Sequence, residues 1–246
     1  MQMNAVTDHY ARLLAPIYLW MSGGPSAALR QGAAELASLN LPHSKGAGAV
    51  DLGAGFGMHA IPLARLGYAV TAIDSSAVLL SQLRQLAEGL DIRIVESDLL
   101  DFAGHLDASP ELILCMGDTL THLSSTSEVE LLCTRVADSL APGGRFLTTF
   151  RDYTRPLQRD ARFVPVRSDA DRIHTCFLEE EPHRMLVHDI VHELQNGTWS
   201  MRVSHYPKLR LDPNMVMGIL EQCGLGVARD PGPRGMVQIV ATRESR

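Results

Sequence analysis

The chain contains no run of lysines or arginines, and its 28 Asp and Glu outnumber its 22 Lys and Arg, for a formal net charge of −6. That balance excludes the broad basic footprint with which proteins hold a nucleic-acid backbone. No apolar run is long enough to cross a bilayer, so no membrane partner is expected. Cysteine is scarce, and Cys115, Cys133, Cys176 and Cys223 form no CxxC pair. A zinc ribbon or a disulfide framework is therefore excluded, and the four read as reduced core residues. An HExxH helix is also missing. His174, His183, His188, His192 and His205 read as scattered side chains, and no metal is expected. The opening "MQMNAVTDHYARLL" lacks a basic stretch followed by an apolar block, which predicts a cytoplasmic protein without a secretory signal. No internal repeat or low-complexity segment appears.

What is present is the composition of a packed fold: 46% hydrophobic and 20% charged residues over 246 positions, which suits one domain with an insertion. Tyr10, Leu13, Leu14, Ile17, Tyr18 and Met21 recur at helical spacing and predict one helix that Gly23, Gly24 and Pro25 end; a second follows over 26–39. From 47 onward, short apolar runs alternate with helices, as in a parallel sheet buried on both faces. Strands are predicted at 49–52, 69–73, 92–95, 111–116 and 145–150, and helices at 58–66, 77–88 and 128–140. Ser125 and Glu128 predict a capping box for the last of these. Beyond Asp152 the alternation stops. Three extended stretches over 172–211, separated by Pro182–His183 and by the hairpin signal Asn196–Gly197, predict an inserted antiparallel sheet. Asp212 and Pro213 then open a closing helix, and two strands at 225–229 and 236–242 predict a hairpin at the sheet edge.

One stretch carries chemistry: "VDLGAGFGMHAIPLARLGYAVTAID", from Val50 to Asp74. A strand that runs through Gly53, Gly55 and Gly57 into a helix brings bare backbone, with its N–H groups, close to a ligand. Asp74 ends the next strand, where a carboxylate can accept both hydroxyls of a ribose. A dinucleotide fingerprint wants a last glycine where Met58 stands, and Asp51, two residues ahead of Gly53, would repel a pyrophosphate. The same acid suits an ammonium and a sulfonium.

The pattern D-x-G-x-G-x-G with an acid closing the next strand resembles the first motif of class I S-adenosylmethionine-dependent methyltransferases. "VESD", ending at Asp98, "LILCMGDTLTHL" and "LAPGGRFL" extend the resemblance over about 47–150. "GDTLTHL" is similar to the "GNSxxHL" stretch of glycine and sarcosine N-methyltransferases, with Asp118 in place of the amide. The resemblance implies an α/β fold: a Rossmann-like seven-stranded, mostly parallel sheet with helices on both faces and an antiparallel last strand. An N-terminal helical cap (1–46), a cofactor-binding core (47–152), an inserted antiparallel sheet or lid (153–211) and a closing helix with a strand hairpin (212–246) would form one domain. It also implies S-adenosyl-L-methionine as cofactor, released as S-adenosyl-L-homocysteine and held by Asp51, Gly53, Ala54, Gly55, Gly57, Asp74, Ser75, Asp98, Leu99, Met116, Gly117 and Tyr18.

Methyl transfer is an in-line displacement that needs orientation and, for an amine or hydroxyl acceptor, a group to take a proton. Asp118 and His122 follow the fourth strand and Tyr153 the fifth, so these three are the expected catalytic residues. Tyr10, Arg151, His205 and Tyr206 are the expected substrate contacts. Plainer readings stand beside these: Arg151 pairing with Asp152, His122 capping the next helix, and Tyr10 and Tyr18 as packing residues. The expected partner is a small molecule, with a homodimer through the inserted sheet left open and nucleic acid excluded, since "DTLT" stands where base methylases carry N/D-P-P-aromatic. Two other functions remain: sulfonium chemistry without methyl transfer, which the aspartate at 118 keeps open, and a non-catalytic cofactor-binding protein.

Overall fold

The structure is a computed structural model that describes residues 5–39, 41 and 45–245. Five strands, β1 (Gly48–Leu52), β2 (Ala69–Asp74), β3 (Ile92–Glu96), β4 (Leu112–Cys115) and β5 (Arg145–Phe150), run parallel in the order β3-β2-β1-β4-β5. Two more extend this sheet beyond β5. The reversed β11 (Val237–Arg243) pairs antiparallel with both β5 and β10 (Leu225–Pro231), completing seven strands. Alternation along each strand feeds two apolar layers. Val50 and Leu52 of β1 join Phe102, Leu132 and Phe146 on one side, while Ala49 joins Leu63, Leu83 and Leu114 on the other. Chain direction switches between β1 and β4, and a crevice opens there at the strands' carboxyl ends.

Helices α3 (Pro25–Ala37), α4 (Ala60–Arg65), α5 (Ala77–Leu86), α6 (Thr126–Ser139) and α7 (Pro213–Gln222) cover the faces. Their starts follow local chemistry. Ser76 accepts from Leu79 N–H, Ser125 from Glu128 N–H and Asp212 from Asn214 N–H. The box predicted from Ser125 and Glu128 is only half made, because the Glu128 carboxylate reaches back to Ser124, at 2.7 Å from its N–H. With Ser125 as the cap, His122 does not cap this helix.

The insertion is a four-stranded antiparallel sheet where three strands were expected: β6 (Phe163–Ser168), β7 (Arg172–Glu180), β8 (Arg184–Gln195) and β9 (Thr198–Leu209). The extra strand is the edge, interrupted by a register shift between Pro165 and Arg167, so its pattern is masked by a proline that an edge tolerates. The β8–β9 turn falls on Asn196 and Gly197, both at positive φ (52° and 77°), as the hairpin signal predicted.

The single N-terminal helix expected from Tyr10 to Met21 is broken into α1 (Ala5–His9), a π turn (Tyr10–Leu14), a 3-10 turn (Ala15–Ile17) and α2 (Tyr18–Met21). Pro16 has no N–H to continue the ladder. The break lets Leu13, Leu14 and Ile17 pack on the inserted sheet while Tyr10 and Tyr18 line the crevice. All four cysteines are free; Cys115 and Cys133 are buried, Cys176 and Cys223 only partly so. No helix among the described residues is long and apolar enough to cross a membrane.

Candidate active site

The crevice holds a cavity of about 440 Å³ whose lining includes Gly53, Ala54, Gly55, Asp74, Ser75, Asp98, Leu99, Met116, Gly117 and Tyr18 of the predicted cofactor residues. Asp51 and Gly57 lie outside it. Gly57 is a packing residue: a Cβ there would stand 2.3 Å from Leu83 Cδ1, on a backbone at φ 93°. Gly53 is a cradle residue: φ is 72° and a Cβ would lie 2.4 Å from Thr119 Cγ2.

The loop's amides differ from the expectation that they would face a ligand. Gly53 and Ala54 N–H donate to the Ile73 carbonyl, Gly57 N–H to that of Ala54, and Gly55 N–H to an Asp74 oxygen at 2.8 Å. A pyrophosphate-binding loop keeps such donors for its anion; here these four are occupied within the protein. The loop therefore lacks the free amides with which a pyrophosphate is held.

Asp74 also accepts from Ser76 N–H at 2.7 Å. Burial raises its pKa and outweighs the lowering by the amides of Ser76, Gly55 and Ser75. A carboxylate so desolvated gains from further hydrogen-bond donors. Asp98 caps the 3-10 turn Leu99–His105 through Leu100 N–H, at 2.8 Å, one strand further along.

Aromatic rings form the remaining wall. Tyr10 Oη lies 3.4 Å from His122 Nε2, and the Tyr10 ring stands 6.1 Å from that of Tyr18. Tyr206 stacks on His122 at 5.3 Å and 21° from behind, and does not itself line the cavity. Burial raises the phenols of Tyr10, Tyr18 and Tyr206 above their ordinary value. Burial, then the charges of Lys208 and His9, hold His122 well below the usual imidazole range, and its Nδ1 has no partner. The wall is therefore uncharged at neutral pH.

Asp118 is near the site but its oxygens are engaged. It sits at φ 78° after Gly117, pairs with Lys208 Nζ, and accepts from Arg151 N–H at 2.9 Å and Thr121 Oγ1 at 3.2 Å. Lys208, one of two lysines in the chain, is buried and gives a physical reason for an acid where the similar families carry an amide. Tyr153 is buried among Leu14, Leu178 and Tyr206 and does not line the cavity; burial raises its pKa. Arg151 is not paired with Asp152: its Nη1 donates to the Arg234 carbonyl at 3.2 Å, and Asp152 accepts from Thr154. His205 faces the other way, 5.2 Å from His188 on the outer face of the inserted sheet, because alternation turns it opposite to Tyr206.

Sequence patterns missed residues that only folding brings here: Arg234 on the cavity wall, Lys208, and His9. His9 Nε2 and His174 Nε2 each meet a carboxylate oxygen of buried Asp189, at 2.8 and 2.6 Å, and the Cys176 thiol meets it at 2.8 Å. Those three groups lower the Asp189 pKa against the burial that raises it. The cluster ties α1 to the inserted sheet and so sets Tyr10, the next residue, against His122.

Fold and site together define an α/β protein with a ligand-sized crevice at a switch point of its sheet. Residues 49–144 match a family model described as a methyltransferase domain. That matched stretch includes the glycine loop and Asp74, the motif that resembles class I S-adenosylmethionine-dependent methyltransferases. Solved structures agree in fold. The CcbJ methyltransferase from Streptomyces caelestis is 20% identical with a TM-score of 0.76, covering 100% of both chains. S-adenosylmethionine-bound CalS10 from Micromonospora echinaspora, an amino pentose methyltransferase, is 14% identical with a TM-score of 0.73, covering 93% of this chain and 95% of that one. The sugar N-methyltransferase KedS8 from a Streptoalloteichus species is 13% identical with a TM-score of 0.74, covering 94% and 92%. No curated protein matches the chain in sequence.

Proposed function

We propose that this enzyme methylates the amino nitrogen of a small acceptor, an amino sugar being the class that fits best. The uncharged wall of Tyr10, Tyr18 and His122 carries this reading. An amine attacks only as the free base, and a desolvated, neutral wall favours the amine over its ammonium form. The fold likeness to CalS10 and KedS8, an amino pentose and a sugar N-methyltransferase, supports the acceptor class.

Bound S-adenosylmethionine supplies a methyl carbon already activated by positive sulfur. This chain's residues hold and orient. Asp74 takes the ribose hydroxyls, Asp98 and the Leu99 N–H the adenine edge, and Tyr18 covers the amino-acid end. His122 and Tyr10, paired through Nε2 and Oη, both line the cavity and would orient the acceptor's amine. Asp118 positions rather than reacts, through Lys208 and the Arg151 amide, and Tyr153 and Tyr206 back the wall. The aspartate that kept non-transfer chemistry open has its reason in Lys208, so methyl transfer is retained. The cap (1–46) and insert (153–211) complete the acceptor side of a single domain. Free thiols at all four cysteines suit a cytoplasmic setting.

Methyl-labelled cofactor offered with an amino sugar and with its hydroxyl counterpart tests the reading. Label on nitrogen, with the hydroxyl compound untouched, is expected. Label only on oxygen, or retained wholly in methylthioadenosine, overturns it.

A further inference from the structure

The amino-acid end of the cofactor carries a carboxylate, and a buried carboxylate requires a cation or strong donors. Of the residues lining the cavity, Arg234 is the only arginine or lysine; Asp74, Asp98 and Glu128 are acids. The acids and the arginine stand apart. Asp74 ends β2 and Asp98 follows β3, whereas Arg234 Nη2 lies 3.8 Å from where a Cβ on Gly117 would be, beyond β4. With β1 between β2 and β4, two strand spacings, about 10 Å, separate the ribose acid from Gly117.

We infer that Arg234 is the clamp for the α-carboxylate of the cofactor. It comes from the loop between β10 and β11, outside the stretch that carries the glycine loop. The loop is closed by Gly232 N–H to the Met236 carbonyl at 2.8 Å and Met236 N–H to the Pro233 carbonyl at 3.0 Å. Arg234 itself is held at φ 55° and ψ 33°, a left-handed backbone disfavoured for any residue with a Cβ, and its carbonyl accepts from Arg151. These contacts turn the side chain across the end of the cavity. Its Nε stands 3.4 Å from Glu35 Oε1, and Glu35 is fixed in turn by His59 at 2.9 Å and Gln31 at 3.0 Å. Glu35 engages only Nε; among the described residues the two Nη groups have no partner. A guanidinium tethered at Nε presents the fork that a carboxylate meets with two parallel hydrogen bonds. Glu35 is a positioning residue and Arg234 the binding one.

Calorimetric titration with S-adenosylhomocysteine and with its decarboxylated analogue, which keeps the amine and lacks the carboxylate, isolates this contact. Wild-type protein is expected to prefer S-adenosylhomocysteine. Arg234→Gln should weaken that ligand about 10- to 100-fold and leave the analogue's affinity unchanged. Arg234→Lys should fall between. Arg234→Gly relieves the left-handed backbone, so it keeps the fold even if the glutamine variant does not, and should show the same selective loss. Equal loss on both ligands, or none on either, overturns the clamp while leaving the cofactor reading intact. Wild-type protein that binds neither ligand overturns both.

Discussion

Asp51 shows how a residue can be found by its spacing and still do something other than expected. It is 1% exposed, lies beneath the loop rather than in the cavity, and has a carboxylate oxygen without a partner. Burial lifts its pKa to about 6, against the lowering by His59 and the Ala60 amide, with Asp74 raising it further. A carboxyl group that titrates higher when folded than when unfolded binds more protons in the native state between the two values. Its stabilising contribution is full below the unfolded pKa of 3.8 and is lost as pH rises through about 6. Asp51→Asn, neutral throughout, should therefore be more stable than wild type near pH 8, by up to about 3 kcal/mol, and no more stable near pH 4. Urea unfolding of both proteins across that range measures the difference. A constant offset would show that the carboxylate is already compensated when charged.

At the scale of elements, the site is held by ties between segments far apart in sequence. Asp118 links the end of β4 to the Arg151 amide after β5 and to Lys208 on β9. Removing one member of a buried ion pair leaves the other charged and unsolvated, which costs about 3–5 kcal/mol. Asp118→Asn should lower stability by that order, and Lys208→Met should do so too. The double variant should recover most of the loss, so chemical denaturation of the three proteins forms the test; additive losses would mean that the two side chains do not act as a pair. This tie also marks the limit of what local patterns reveal. The strand and helix alternation, the Asn196–Gly197 hairpin and the Asp212 cap follow from neighbours in the chain and were legible. Pro16 carried a legible break that the helical spacing of Leu13, Leu14 and Ile17 overrode. β6 was hidden because an edge strand with Pro165 lacks the alternation of a half-buried one. Lys208 had no motif at all, since its meaning depends on a partner that only the fold supplies.

For the whole molecule, the same division separates the two halves of the site. The nucleoside half sits on turns that directly follow β1, β2 and β3, so one continuous motif names its residues. The proposed acceptor side lies by the cap, backed by the insert, where Tyr10 and Tyr206 were legible as aromatics but their facing partners were not. The insert's inner face is used for this, with Asp189, Tyr206 and Lys208 turned toward the cap and core. Its outer face carries exposed apolar side chains interspersed with His188, His192 and His205. Trp199, Met201 and Val203 alternate along β9 at 47%, 61% and 53% exposure, and β-pairing sets Met201 across from His192 and Ile173. Exposed apolar side chains grouped on one face in this way are uncommon on a monomer and mark an association site. A second copy, offering the same face about a two-fold axis, would cover it. Sedimentation should then report a dimer, and Met201→Glu, which places charge at the centre of the face, should shift it to monomer. Cofactor affinity should not change, because the glycine loop and Asp74 lie in the other sheet. A wild-type protein that stays monomeric at high concentration would remove the dimer, leaving the face as exposed surface and the active site untouched.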